Sequence, residues 1–379
     1  MTKPVLNVGL VGSGFMGRCH ANAFRAVGGL FDLPVDIHLH TLADIDDDTA
    51  TLQARKLGFA HATGDWHTLI DNPDIDLVAI TAPNALHEAI TLAAINAGKN
   101  VYCEKPLSTT CESAKRMTDA AEQAGTTTLV GFNFLRNPLV HYAKGLIERG
   151  ELGDIISFRG RHAEDYMGDP DTPHSFRTAV DGGGALADIG SHIVAMARFL
   201  IGPITQVNAM TETVHKTRPE RPGSTVRKPV ETDDVAHALL RFGNGAAGSI
   251  DVSWMMKGKT MDLSFDITGT KGALQFTQER MNELLVWTDK DGPGNGGFRK
   301  IETGPAHPPY GQFCPAPGHH LGFNDLKVIE VAELIDCIKQ GKPHYTGFRE
   351  GYEVQCTIDA MLASARHNQW VNVSDFIQP

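Results

Sequence analysis

In a chain of 379 residues, 45 acidic against 34 basic side chains give a formal charge of −11, and 41% of the residues are hydrophobic. That is the composition of a folded globular protein with room for two or three domains at roughly 100–200 residues each, and it excludes a disordered tail protein. The acidic balance without any run of Lys or Arg excludes a nucleic-acid partner, and no stretch approaches the roughly 18 apolar residues of a membrane-spanning helix. Ser13, Arg18 and His20 follow the apolar run 5–11 too closely for a signal peptide. Cys19, Cys103, Cys111, Cys314, Cys337 and Cys356 are widely and irregularly spaced with no C-x-x-C, which predicts no disulfide framework and no metal centre. A cytoplasmic setting is expected.

Taken in chain order, residues 5–11 form a β-branched apolar run that leads into Gly12-Ser13-Gly14-Phe15-Met16-Gly17 and a helical stretch to about residue 27. Further strands are expected at 37–43, 77–80, 100–103 and 127–131, with helices at 47–57, 84–97 and 109–123 between them. Gly58 and Gly98 stop two of these helices, and Thr109 with Glu112 has capping-box spacing. Strands alternating with helices predict a parallel sheet covered on both faces. From about residue 150 the pattern changes to successive strands, at 155–162, 204–214, 235–242, 246–254, 261–268 and 272–278. This predicts an α+β second domain with a large, open, mainly antiparallel sheet, covered on one side by helices at 188–200, 324–339 and 349–367. The expected division is residues 1–133 and 134–379, with long loops at 218–229 and 291–322.

Gly12-x-Gly14-x-x-Gly17 ends a predicted strand and opens a predicted helix, the context that the dinucleotide fingerprint requires. Gly12 allows the tight turn, Gly14 lets a pyrophosphate approach, and Gly17 lets the helix pack on the strand. Asp44, at the end of the second strand, is placed to accept hydrogen bonds from an adenosine ribose. The carboxylates of Asp44, Asp46, Asp47 and Asp48 repel a 2′-phosphate, so NAD is favoured over NADP. Capping of the next helix is the other reading of these aspartates, and it suits Asp47 and Asp48. Glu104-Lys105-Pro106 lies at the carboxyl edge of the parallel sheet, where ligands of doubly wound folds bind. Asp188 and His192 are four residues apart and are expected on one face of a helix, where a carboxylate beside an imidazole tunes an acid or base. A surface pair and a metal site are alternatives, although no third ligand has suitable spacing. His174, His319 and His320 read as loop histidines.

Together, residues 12–17, Asp44, Thr81-Ala-Pro83-Asn84-x-x-His87, Glu104-Lys105-Pro106 and Asp188-Ile-Gly-Ser-His192 resemble the Gfo/Idh/MocA family along essentially the whole chain. The resemblance implies a Rossmann domain, a second domain whose open sheet builds homodimers or homotetramers, and NAD-dependent oxidation of a ring hydroxyl of a sugar, anhydrosugar or inositol-like polyol. It adds Phe15, Met16, Thr81, Pro83, Asn84, His87, Glu104 and Lys105 as cofactor contacts, and Lys105, Asp188 and His192 as catalytic residues. The stretches Arg161-His162-Ala-Glu164-Asp165-Tyr166-Met167 and Ser175-Phe-Arg177, with the segment 315–325, are similar to a branch acting on scyllo-inositol, L-glucose or levoglucosan. From these come His162, Asp165, Tyr166, Arg177 and His320 as substrate contacts, and Asn133 is expected to join them. One departure concerns the stretch 131–138, where Phe134 and Leu135 stand in place of the aromatic-arginine pair of many relatives and Arg136 follows.

The resulting expectation is that His192 takes the hydroxyl proton, Lys105 stabilises the same oxygen and Asp188 orients the imidazole or a second hydroxyl. Two alternatives remain at this level: a redox-neutral NAD-dependent glycosidase, and a non-catalytic NAD-binding sensor. Net NADH formation separates the first, and inactivity across polyols despite NAD binding would favour the second.

Overall fold

The computed structural model describes residues 3–179, 182–292, 294 and 296–377. It divides into two compact units, Met1–Arg136 with Gly322–Tyr352, and Asn137–Leu321 with Glu353–Pro379. The first contains a six-stranded parallel sheet: β1 Val5–Val11, β2 Asp36–Ala43, β3 His61–Thr63, β4 Leu77–Ile80, β5 Asn100–Cys103 and β6 Thr128–Val130. Their order, β3-β2-β1-β4-β5-β6, is that of a Rossmann sheet reversing direction beside β1. Every residue of β4 is buried, as expected of a central strand covered on both faces. The short strand β3 and the helix Trp66–Asp71 went unpredicted, being too brief to show a period.

Two helix caps fall one residue from expectation, although the second helix spans the expected 47–57. Thr110 rather than Thr109 caps the helix Cys111–Ala124, accepting from the Ser113 amide. Asp46 rather than Asp47 caps Asp47–Leu57, its Oδ1 accepting from the Thr49 amide at 2.7 Å.

The expected cut at 133/134 does not describe the compact units, because residues 322–352 return to the first. The helix Phe323–Gln340 packs on Phe15–Leu30 instead of on the antiparallel sheet. The amide of Val130 donates to the Thr346 carbonyl at 2.8 Å, so the returning segment also covers the edge of β6.

In the second unit, β7 Ile155–Ala163, β8 Ile204–Glu212, β11 Val235–Phe242, β12 Ala247–Ser253, β13 Asp262–Gly269, β14 Gly272–Thr277, β15 Glu283–Thr288, β16 Arg299–Glu302 and β17 Val371–Asn372 form a nine-stranded sheet. The order is β16-β15-β14-β13-β7-β12-β11-β8-β17, antiparallel except for the β7–β12 pair. The intervening β9 Thr217–Pro219 and β10 Arg227–Pro229 form a separate hairpin inside what reads as a loop. Likewise β16 lies within the expected loop 291–322.

Phe158, Gly160 and His162 alternate along the buried face of β7. The helix Gly190–Ile201 lies on this face, against β7, β12 and β13. Gly160 makes the approach possible: a Cβ there would stand 2.7 Å from Ile193 Cγ1. Among the described residues, no helix is long and apolar enough to cross a membrane.

Candidate active site

The glycine turn has the geometry that its spacing predicts. Gly12 has φ +92°, and a Cβ on it would meet the Thr81 carbonyl oxygen at 2.9 Å. A Cβ on Gly17 would lie 2.2 Å from the Gly12 carbonyl oxygen, whereas at Gly14 it would find nothing within 4 Å. Two glycines are therefore required by packing, and the middle one leaves open space above the turn. The helix Phe15–Leu30 begins at Gly14 with no side-chain cap, so its first amides are available to an anion. Phe15 is exposed and stacks on Phe323 at 5.8 Å, Met16 is half-buried, and Pro83 is exposed beside the turn.

Asp44 is tied directly to this turn. Its Oδ2 accepts from the amide of Ser13 at 2.9 Å and from the Ser13 hydroxyl, and Oδ1 accepts from the Ile45 amide at 2.7 Å. Ser13 thus joins the site as a residue that the fingerprint, read for its glycines, does not single out. An open glycine, uncapped helix amides and a carboxylate at the end of β2 fit a dinucleotide, with phosphates at Gly14 and ribose at Asp44.

Thr81 donates to the Gly12 carbonyl at 2.7 Å and fixes the neighbouring turn. Asn84 opens the short turn Asn84–Leu86. His87 is buried, with its ring nitrogens 3.0 Å from the carbonyls of Ala82 and Pro106. Burial, against these carbonyls, pushes its pKa down. It braces the turns after β4 and β5 against each other. Lys105 follows β5 and is half-buried. The preceding Glu104, expected as a cofactor contact, is buried, and its carboxylate accepts from His20 Nε2 at 2.8 Å and Lys327 Nζ at 2.6 Å.

The second unit carries the other cluster. Asp188 and His192 do not share one continuous helix, as their spacing suggested. Asp188 ends the helix Gly184–Asp188, Ile189 intervenes, and the next helix begins at Gly190. Asp188 Oδ2 accepts from Arg177 Nε at 2.8 Å and from the Tyr166 hydroxyl at 3.1 Å. Burial and the Asp188 carboxylate hold the Tyr166 phenol well above its ordinary pKa. His162 Nδ1 donates to the Ile189 carbonyl at 2.6 Å, and its ring lies 5.6 Å from that of His192. Tyr166, Arg177, His162, Asp188 and His192 are therefore gathered in this unit.

Two expected substrate contacts lie elsewhere. Asp165 is exposed and accepts from the Gly258 amide at 3.3 Å, while His320 is an exposed loop residue with φ +61°, 3.5 Å from Glu302. Asn133, in the first unit, is buried, and its Nδ2 has no hydrogen-bond partner among the described residues. That orphaned donor suits a ligand hydroxyl. Arg136, which follows the departing pair, is fully buried, donating to Tyr345 and Thr346 and lying 3.2 Å from Glu333.

A family model described as "Oxidoreductase family, NAD-binding Rossmann fold" matches residues 6–132, and one described as "GFO/IDH/MocA C-terminal domain" matches residues 140–275. With the open glycine turn, these define an NAD-dependent oxidoreductase acting on CH–OH groups. The chain belongs to the Gfo/Idh/MocA family. It is 40% identical to levoglucosan dehydrogenase of Pseudarthrobacter phenanthrenivorans, over 97% of this chain and 98% of that enzyme. It is 27% identical to myo-inositol 2-dehydrogenase of Thermotoga maritima, over 76% and 79% of the two chains. A solved levoglucosan dehydrogenase in complex with NADH and levoglucosan superposes with a TM-score of 0.94 at 39% identity, covering 97% of this chain and 99% of that one.

Proposed function

We propose that this protein oxidises a ring hydroxyl of an anhydrosugar, with levoglucosan as the leading candidate, to the ketone with NAD as acceptor. The observation that carries this reading is the Asp188–Arg177–Tyr166 cluster, next in the chain to His192, in a protein 40% identical to levoglucosan dehydrogenase. When bound at the glycine turn, NAD supplies the two-electron acceptor for the hydrogen on the carbinol carbon.

The protein's own residues handle the proton and the oxygen. His192 Nε2 accepts the hydroxyl proton, a task suited to an imidazole near neutral pH. Lys105 donates a hydrogen bond to the same oxygen and stabilises the negative charge that develops there. Asp188 holds Arg177 and Tyr166, whose remaining polar atoms bind further hydroxyls of the sugar. Asn133 Nδ2 supplies another donor. A fixed set of donors rejects a sugar whose hydroxyl is missing or misdirected, because the buried group is then left unpaired.

The same reading assigns homo-oligomer formation to the open face of the nine-stranded sheet. Met210 and Leu239 are 62% and 52% exposed there, beside the Arg161–Asp251–His237 charges. The direct test is NADH formation by purified protein with levoglucosan, inositols and aldoses. Oxidation of levoglucosan in preference to the others supports the reading; sugar release without net NADH, or no turnover of any of them, contradicts it.

A further inference from the structure

The first unit buries an ionic cluster that the proposed chemistry does not use. Lys327 is completely buried, and its ammonium donates to Glu104 at 2.6 Å, Glu330 at 2.9 Å and the Tyr102 hydroxyl at 3.0 Å. All three of its N–H donors are thereby satisfied. The Tyr102 hydroxyl donates to Glu330, and the buried Arg136 guanidinium lies 3.6 Å from the same carboxylate. Burial lowers the pKa of His20, and the carboxylates of Glu104, Glu330 and Glu333 face the cations of Lys327 and Arg136. Against the opposing effect of its burial, the Lys327 ammonium and His20 hold Glu104 well below the ordinary carboxylate range.

Such a cluster is a poor source of stability. Each buried ion costs several kcal/mol of desolvation, and well-packed apolar residues of the same volume often do as well or better. Its geometry leads to one place. Glu104 Oε1 accepts from Lys327 and His20, and Oε2 accepts from the backbone amide of Lys105 at 3.2 Å. Gly131 leaves the space that this carboxylate occupies, since a Cβ there would stand 2.7 Å from Oε1. The carboxylate is held from one side by Lys327 and holds the main chain of Lys105 with the other.

We propose that Lys327 is a positioning residue for the reaction, acting through Glu104 to fix the backbone of Lys105 and hence the placement of its amine. The inference rests on the assignment of Lys105 to catalysis made above. Lys327→Met is expected to lower kcat roughly tenfold to a hundredfold, the effect of a small displacement of a catalytic group, with the Kd for NADH nearly unchanged. In Glu104→Gln/Lys327→Met the loss should be no greater than in Glu104→Gln alone, because both changes cut one path. Lys327→Met/Glu330→Gln removes one charge of each sign, so it should recover the Tm of the wild type without recovering its kcat.

These variants, with Lys105→Met alongside, are measured for steady-state turnover of levoglucosan, NADH binding and thermal unfolding. Wild-type kcat in Lys327→Met, multiplying losses in the Glu104 double variant, or recovery of kcat together with Tm in the Glu330 double variant would each overturn the positioning role. If Lys105→Met is inactive while Lys327→Met is not, only this inference fails. If Lys105→Met turns over normally, the underlying assignment fails and the positioning role with it.

Discussion

His162 donates from Nδ1 to the carbonyl of Ile189 at 2.6 Å, at the point where one helix ends and the helix bearing His192 begins. The same carbonyl accepts from the His192 backbone amide at 3.2 Å, so the His162 ring is a second donor to it. His162, expected as a substrate contact, holds with its Nδ1 the backbone three residues before His192. Replacing it by Phe keeps the ring and removes this second donor while the His192 amide still reaches the carbonyl. His162→Phe is expected to cost about 0.5–1.5 kcal/mol of stability, the net worth of one hydrogen bond. It should also lower kcat more than it raises KM, as read by steady-state kinetics and denaturant unfolding.

The glycine turn separates packing from binding. Gly14→Ala should unfold at the wild-type temperature, since its Cβ meets nothing within 4 Å, yet bind NADH at least tenfold more weakly because the methyl fills the space left for a phosphate. Gly17→Ala places a methyl 2.2 Å from the Gly12 carbonyl oxygen and should lose stability as well as binding. Thermal unfolding and NADH fluorescence titration of the two variants check this contrast.

Asp44→Ala removes the acceptor proposed for the ribose and the repulsion of a 2′-phosphate. The ratio of kcat/KM for NAD to that for NADP should fall by an order of magnitude or more. Because Asp44 also takes the Ser13 amide and hydroxyl, a small loss of Tm should accompany it. An unchanged cofactor ratio would remove Asp44 from ribose recognition.

Much of this was legible in the sequence for identifiable reasons. The glycines at 12 and 17 follow from a steric demand and Gly14 from the space it leaves above the turn, and the strands β1 and β4 are compact apolar runs ended by turn residues. The break at Ile189 was not legible, because Asp188 and His192 have ordinary helical spacing; the ring that bonds to the carbonyl there, His162, is distant in sequence. The return of residues 322–352 was also missed. Lys327 and Glu330, set among Leu326, Val328, Ile329 and Val331, were the available signal, since charges in an apolar helical stretch need buried partners. Which partners they find, Glu104 and Tyr102, is a tertiary fact that local pattern does not carry.

Asp233 gives a pH signature. Burial pushes its carboxyl up to about 7, while Oδ2 accepts from the Leu186 amide at 2.8 Å in the short helix that ends at Asp188. A raised pKa means that the folded state binds more protons than the unfolded chain between the ordinary carboxylate value and about 7. This contribution therefore favours folding at low pH, declines as pH rises through that window, and levels off above it. Asp233→Asn removes the titration and keeps an acceptor. The difference in unfolding free energy between variant and wild type, read by denaturant titration, should shift in the variant's favour from pH 5 to pH 8, by at most roughly 1.4 kcal/mol per unit of pKa shift.

The oligomer reading is tested on the sheet face. Leu239→Lys combined with Met210→Glu places charges on exposed strand positions where folding does not need the apolar groups. Sedimentation should then show smaller particles than wild type with the Tm of the isolated fold retained. An unchanged mass would move the interface elsewhere.

In the proposed mechanism, Lys105 and His192 carry the chemistry of an NAD-dependent anhydrosugar oxidation. Its most direct measurement is NADH formation from levoglucosan by the wild type, Lys105→Met and His192→Ala, each first shown to bind NADH. The account predicts turnover by the wild type and a loss of at least a hundredfold in kcat in both variants, with NADH affinity nearly unchanged. Wild-type turnover in either variant would contradict it.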